Sequence, residues 1–280
     1  MKRICIKYFI LLFLINTPAF FCQETLEEQY LYSLKLFNQE KYYDAITELK
    51  RLNFFDTNKK YTFESNLLIG EAYKEGGKYP EALEYFTIAE INAGNDSSLF
   101  ITKIFEVRVN ILRRTTSRAF RILDRIQSDV RFKDRVDEIN YWRGWSYIFA
   151  DEWDEAAKRF AAIDFNHPLK NLCDKVESEK YNVTTAKILS YIIPGSGQFY
   201  TGHYFSGFLS LGWNILWGYL TVKAFVDERI FDGFVIGNFL WLRFYTGNIQ
   251  NAEKFALEEN NIIANKALYY LQYQYKGEKP

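Results

Sequence analysis

Three cysteines, two histidines and one methionine are all the sulfur and imidazole ligands in these 280 residues. Cys5 and Cys22 lie in the first 22 residues, and Cys173 stands alone. No CxxC spacing occurs, and neither His167 nor His203 has a second ligand at metal-binding distance along the chain. This excludes a disulfide framework and a Cys/His metal site, and no cofactor or metal is expected. An excess of one charge is missing too: 35 basic and 35 acidic residues cancel, which argues against a general nucleic-acid binder. Pro194-Gly195-Ser196-Gly197 lacks the lysine and preceding strand of a phosphate loop, and no nucleophile elbow occurs. No catalytic residue is named, and the chain reads as a protein without enzymatic chemistry.

What is present is repetition. Ala45, Ala82, Ala119 and Ala156 each follow the last by 37 residues. A fixed period of this size marks a stacked helical array. Twelve residues before the second and fourth alanines stand Gly70 and Gly144, and before the first stands Ser33. A small residue on one helix is therefore expected to face a small residue on the next. Helical periodicity places four hairpins between Glu24 and about Asp164, closed by His167-Pro168. The first of these eight helices is expected over Glu24–Asn38, and Phe132–Phe149 is expected as one helix.

Gly70-Glu71-Ala72-Tyr73 followed by Lys78-Tyr79-Pro80-Glu81-Ala82 resembles the tetratricopeptide repeat, as does Gly144-Trp145-Ser146-Tyr147 followed by Trp153-Asp154-Glu155-Ala156. The period is three residues longer than the family's 34. Val107 and Asn110 depart from the family pattern in the third repeat. The resemblance implies an all-α solenoid over residues 23–168. It also implies a concave face that binds extended peptides or other proteins, formed here by Tyr30, Leu34, Phe37, Leu67, Glu71, Ile104, Arg108, Ile111, Tyr141, Trp145 and Ile148. That face is apolar enough to need a cover, either a partner or the chain's own C-terminal helix.

Residues 1–22 read as a secretory signal: Lys2, Arg3 and Lys7 precede an apolar core from Tyr8 to Ile15, and cleavage is expected near Cys22. A linker helix is expected over 169–183. Charges then become scarce over 184–249. Residues 205–226 are long enough to cross a bilayer core of about 30 Å, and residues 230–249 follow after a short charged turn. The expectation is a transmembrane helical hairpin, with a buried hairpin of a soluble domain as the alternative. Pro194-Gly195-Ser196-Gly197-Gln198-Phe199-Tyr200-Thr201-Gly202 resembles the PGxGQxYxG motif of small bacterial membrane modules, and Tyr245, Gly247 and Asn248 extend the likeness. The motif reads as a helix break, with Gln198, Tyr200 and His203 expected near lipid headgroups. Gly233 and Gly237 permit close helix approach, and Asn214 is expected to satisfy Asn238 or Arg243 across the hairpin. Residues 250–280 form an amphipathic helix through Phe255, Ile263, Tyr270 and Leu271, with a Gly-Glu-Lys-Pro end expected to fray.

Arg114, Arg118, Arg121 and Arg125 recur at steps of four, three and four. They form either a solvated face neutralised by Asp124, Asp129 and Asp134 or a stripe for an acidic partner or anionic lipid. The combined expectation is a scaffold of the bacterial cell envelope. It would be anchored in the inner membrane, with periplasmic repeats that bind other envelope proteins. The alternative is a soluble or lipid-anchored periplasmic adaptor for outer-membrane assembly, and a membrane enzyme or lipid-handling factor ranks last.

Overall fold

The computed structural model describes residues 25–280. The expected signal segment lies outside the described residues. Among the described residues all regular structure is helical. The described residues divide into two compact units, one ending at Val109 and the other running Asn110–Pro280. The first holds α1 (Leu26–Asn38), α2 (Tyr42–Phe55), α3 (Thr62–Glu75), α4 (Tyr79–Ile91) and most of α5 (Asp96–Leu112). The second holds the end of α5, α6 (Thr116–Ser128), a 3-10 turn (Val130–Arg135), α7 (Val136–Phe149), α8 (Trp153–Ile163) and α9 (Pro168–Glu179). It continues with α10 (Val183–Ile192), α11 (Ser196–Tyr200), α12 (Tyr204–Val226), α13 (Ile230–Val235), a π-helical stretch (Ile236–Trp241) and α14 (Leu242–Tyr273).

The 37-residue period is written in the backbone. Glu40, Gly77, Arg114 and Asp151 all adopt positive φ, between 57° and 72°, each five residues before one of the periodic alanines. In each turn the next amide reaches back five residues: Lys41 N to Leu36 O, Lys78 N to Tyr73 O, Thr115 N to Asn110 O and Glu152 N to Tyr147 O, at 2.8–3.0 Å. This closure satisfies carbonyls left open at a helix end and normally favours glycine at the left-handed position. Only Gly77 supplies one. The other three side chains accept a conformation costing about 1–2 kcal/mol, and the turn repeats regardless. The third repeat, poor in sequence, closes like the rest. All four alanines are fully buried.

The nearest neighbour of each of the repeat glycines, Gly70 and Gly144, is an aromatic ring. A Cβ on Gly70 would lie 2.5 Å from the Phe86 ring, and one on Gly144 would lie 2.6 Å from the Phe160 ring. Each glycine thus makes room for a phenylalanine one helical turn beyond the alanine. At the corresponding positions the first repeat carries Ser33 and Leu49, and the third carries Val107 and Leu123. A larger residue on the first helix goes with a smaller one sixteen positions on. Val107 is therefore compatible with the repeat rather than a lapse from it.

Two element boundaries differ from expectation. The Phe132–Phe149 helix is interrupted at its start: Asp129 accepts from Arg131 N at 3.0 Å, Phe132 leaves helical geometry, and α7 begins at Val136. α14 runs without a break through residues 249–250, so the second hairpin arm and the amphipathic C-terminal helix are continuous. Its buried Ala252 and Ala256 pack against Ala186 of α10. Asn260 clasps the start of that pair, accepting from Tyr181 N at 2.7 Å and donating to Tyr181 O at 2.9 Å.

Candidate functional site

The PGSGQFYTG segment folds into a closed polar knot. Pro194 ends α10, and Gly195 turns the chain at φ 92° into α11. The Gly195 amide donates to Asn248 Oδ1 at 2.8 Å. Gln198 is fully buried. Its Nε2 donates to Asn248 O and Oδ1, both at 3.0 Å, and its Oε1 accepts from Ser190 Oγ at 3.1 Å. Asn248 Nδ2 donates to Ser190 O at 3.0 Å, and Gly197 N donates to Ser190 Oγ at 3.0 Å. Gly197 must be glycine here, because a Cβ would meet Ala186 O, Ser190 Oγ and Ala252 Cβ at once. Around the knot, the Tyr200 hydroxyl accepts from Asn182 N at 3.2 Å and the Tyr245 hydroxyl donates to Tyr191 O at 2.7 Å. Gly202 takes φ 81°, and Gly247 faces open space. These donors and acceptors consume one another, so the motif is a clasp joining α10, α11, α12 and α14. The burial of Gln198 removes it from any headgroup contact. Ser190 and Ser210, which donors of this knot require, carried no signal in the sequence.

The clasp holds up a hairpin that is inside-out by the standards of a water-exposed helix pair. The buried positions of α12 are Gly207, Asn214, Thr221 and Ala224. Its outer positions include Phe205 at 79% exposure, with Phe208, Ile215 and Tyr219 also exposed. The second arm exposes Phe231, Phe234 and Phe239. Gly233 and Gly237 serve the close approach, against Phe225 and Thr221. Trp213, Trp217 and Phe244 stack at 5.6–6.2 Å. The expected bond between Asn214 and the opposite arm is not made. Asn214 donates to Ser210 O and Asn238 to Phe234 O, each four residues back on its own helix. Arg243 and Asn238 are exposed. No helix among the described residues is long and apolar enough to cross a membrane. Since α12 has 23 residues and α14 has 32, the shortfall is in apolarity.

The residues expected along a concave face are mostly engaged. In the first unit Tyr30, Leu34 and Phe37 pack against Leu49, Leu52, Leu68 and Ile69, and Leu67 packs against Phe86 and Val109. Ile104 is buried, and the Arg108 guanidinium lies 5.0 Å from the Phe105 ring centre. Burial pushes the Glu71 carboxyl up to about 6, against the pull of Lys74 and Arg108. In the second unit Ile111, Trp145 and Ile148 are buried. Tyr141 is reached by the chain's own end: its hydroxyl lies 3.3 Å from that of Tyr275 and donates to Glu278 O. Burial, then the Tyr275 hydrogen bond, raises its pKa well above that of an ordinary tyrosine. The C-terminal residues are thus seated against α7 rather than frayed.

Arg118, Arg121 and Arg125 are exposed on α6. Two of the three acids expected to neutralise them bind other arginines: Asp124 binds Arg143 at 2.7 Å and Asp129 binds Arg131 at 2.7 Å. Arg114 has a second role, holding the left-handed turn with its guanidinium 5.8 Å from the Phe149 ring centre. His203 stacks on Phe255 at 3.9 Å, with Glu259 3.7 Å away. His167 accepts from Leu169 N at the start of α9. Cys173 is buried, and burial pushes its thiol up to about 12, away from reactivity. Among the described residues no group of His, Cys, Asp and Glu is arranged to hold a metal ion. Compared with protein-family models, curated proteins and solved structures, the chain matches none.

Proposed function

We propose that this chain is a membrane-anchored adaptor: a tetratricopeptide-like array that binds extended segments of other envelope proteins, held at the bacterial inner membrane by the aromatic hairpin, with the repeats in the periplasm. The observation that carries the anchoring is the inverted hairpin. Small and polar side chains, Gly207, Asn214 and Thr221, face inward, and large apolar ones face out. Lipid favours this arrangement and water opposes it. It also accounts for part of the modest apolarity of α12, since Asn214 and Thr221 are hidden within the pair, whereas Asn238 and Arg243 of the second arm are exposed. The charged Asp227-Glu228-Arg229 turn lies at one end. The exposed arginines of α6 suit anionic headgroups of the same membrane.

The repeated turns and the Gly–Phe packing support the array, and the groove beside Tyr141 and Trp145 supports peptide binding. A second reading has one observation in its favour. Because no single helix has the apolarity of a span, the hairpin of a periplasmic adaptor could be covered by a partner protein instead of lipid. Alkaline extraction separates the two. On the anchored reading, the full-length protein stays with the membrane pellet at high pH. Phe231→Glu with Phe234→Glu places two carboxylates on the outer face and releases it to the supernatant. Release of the unmodified protein under the same wash favours the partner-covered reading.

A further inference from the structure

Residues 274–280 leave the helix, and Tyr275 and Glu278 among them meet Tyr141 of α7. α14 ends at Tyr273, and Gln274 and Tyr275 both donate their amides to Tyr270 O, at 2.9 and 3.0 Å. Beyond that point Lys279 Nζ donates to Gln272 O at 2.8 Å, and three contacts tie the segment to α7. The Tyr275 ring lies 6.1 Å from that of Trp145. The Tyr275 and Tyr141 hydroxyls are 3.3 Å apart. The Tyr141 hydroxyl donates to the main-chain carbonyl of Glu278. Tyr141 and Trp145 are the residues that the sequence marks for binding an extended peptide.

The fit is incomplete. Lys276, Gly277 and Glu278 are exposed. Cavities of about 420 and 350 Å³ flank the segment, the first beside Tyr275 and the second beside Lys279 and Pro280, where Leu268, Leu271 and Phe149 form apolar wall. A ligand selected for this groove would fill that wall, and residues 274–280 leave it open.

We infer that the C-terminal segment is a displaceable occupant of a peptide groove, standing in for a partner segment that carries an aromatic residue, a main-chain carbonyl three positions later and a bulky apolar residue beyond it. The inference rests on the adaptor reading. A tethered segment competes at an effective concentration on the order of millimolar. It therefore screens out weak peptides and yields to those that fill the apolar wall. The groove is closed by default and opened by the right partner.

The test uses full-length protein in detergent and a fluorescein-labelled peptide of residues 274–280. Tyr275→Ala should free the groove and raise affinity for this peptide about tenfold over the unmodified protein, the ratio expected when a millimolar tethered competitor with a dissociation constant of about 100 μM is removed. The same peptide with alanine in place of Tyr275 should not bind either form. An unchanged thermal melt in Tyr275→Ala shows that the variant is folded. Equal binding of the peptide to both proteins overturns the tail as competitor while leaving the groove a peptide site. Binding to neither overturns the tail as a ligand, and the anchoring half of the adaptor reading still stands or falls on alkaline extraction.

Discussion

Replacing Gly144 by valine is expected to lower the stability of the second unit by about 3 kcal/mol, the upper part of the range for overpacking. The ring it meets is fixed. Phe160 is fully buried, and its Cζ, Cε1 and Cε2 atoms lie 2.6–2.8 Å from the position of the new Cβ. The informative variant is the double one. Gly144→Val with Phe160→Leu recreates the combination found at Val107 and Leu123 in the third repeat. It should recover at least half of the loss, a coupling within the range of about 0.5–3 kcal/mol seen for residues in contact. Urea denaturation of the single and double variants measures it. If the two losses simply add, the trade of size between the helices is not what sets this packing.

The second large effect is expected at Asn248. Alanine there removes the acceptor of the Gly195 amide, one acceptor of Gln198 Nε2 and the donor to Ser190 O. All lie in a region where Ser190 and Gln198 are fully buried. A buried polar group left without a partner costs about 1–3 kcal/mol. Gln198 keeps a bond to Asn248 O, so the loss should be about 3–5 kcal/mol rather than the full sum. For a unit of this size that is a fall of roughly 10 °C in melting temperature. Asn248→Asp keeps the acceptor and loses the donor, and should fall between. A melting temperature for Asn248→Ala within a degree or two of the unmodified protein would mean that the clasp does not hold the hairpin.

The array was legible because its signals are local and periodic. The alanines fix one face of each second helix, and their spacing predicts the turns that the backbone makes, even where Arg114 or Asp151 replaces glycine. The hairpin arms were legible from scarcity of charge. What the sequence did not disclose depends on which side chain meets which. Gly70 and Gly144 looked like partners of the alanines, and the rings that meet them are Phe86 and Phe160, one turn further on. The PGSGQ motif was visible as a break. Its purpose lay in Asn248, fifty residues beyond Gln198, and in two serines of no distinctive context. Gln198 looked like a surface residue because glutamine usually is one, and here both its amide nitrogen and its carbonyl oxygen are bonded inside. The C-terminal Gly-Glu-Lys-Pro looked like a frayed end by composition, whereas Tyr141 holds its carbonyl.

The central claim is that lipid covers the outer face of the hairpin, and the tryptophans report on it directly. Trp213, Trp217 and Trp241 lie in the hairpin, while Trp142, Trp145 and Trp153 are buried at 1–2% exposure elsewhere in the second unit. Full-length protein reconstituted into vesicles whose acyl chains carry bromine should lose the emission of the hairpin tryptophans. A variant with phenylalanine at 213, 217 and 241 should show no such loss. Emission from the unmodified protein that is the same in brominated and plain vesicles would contradict the anchored account.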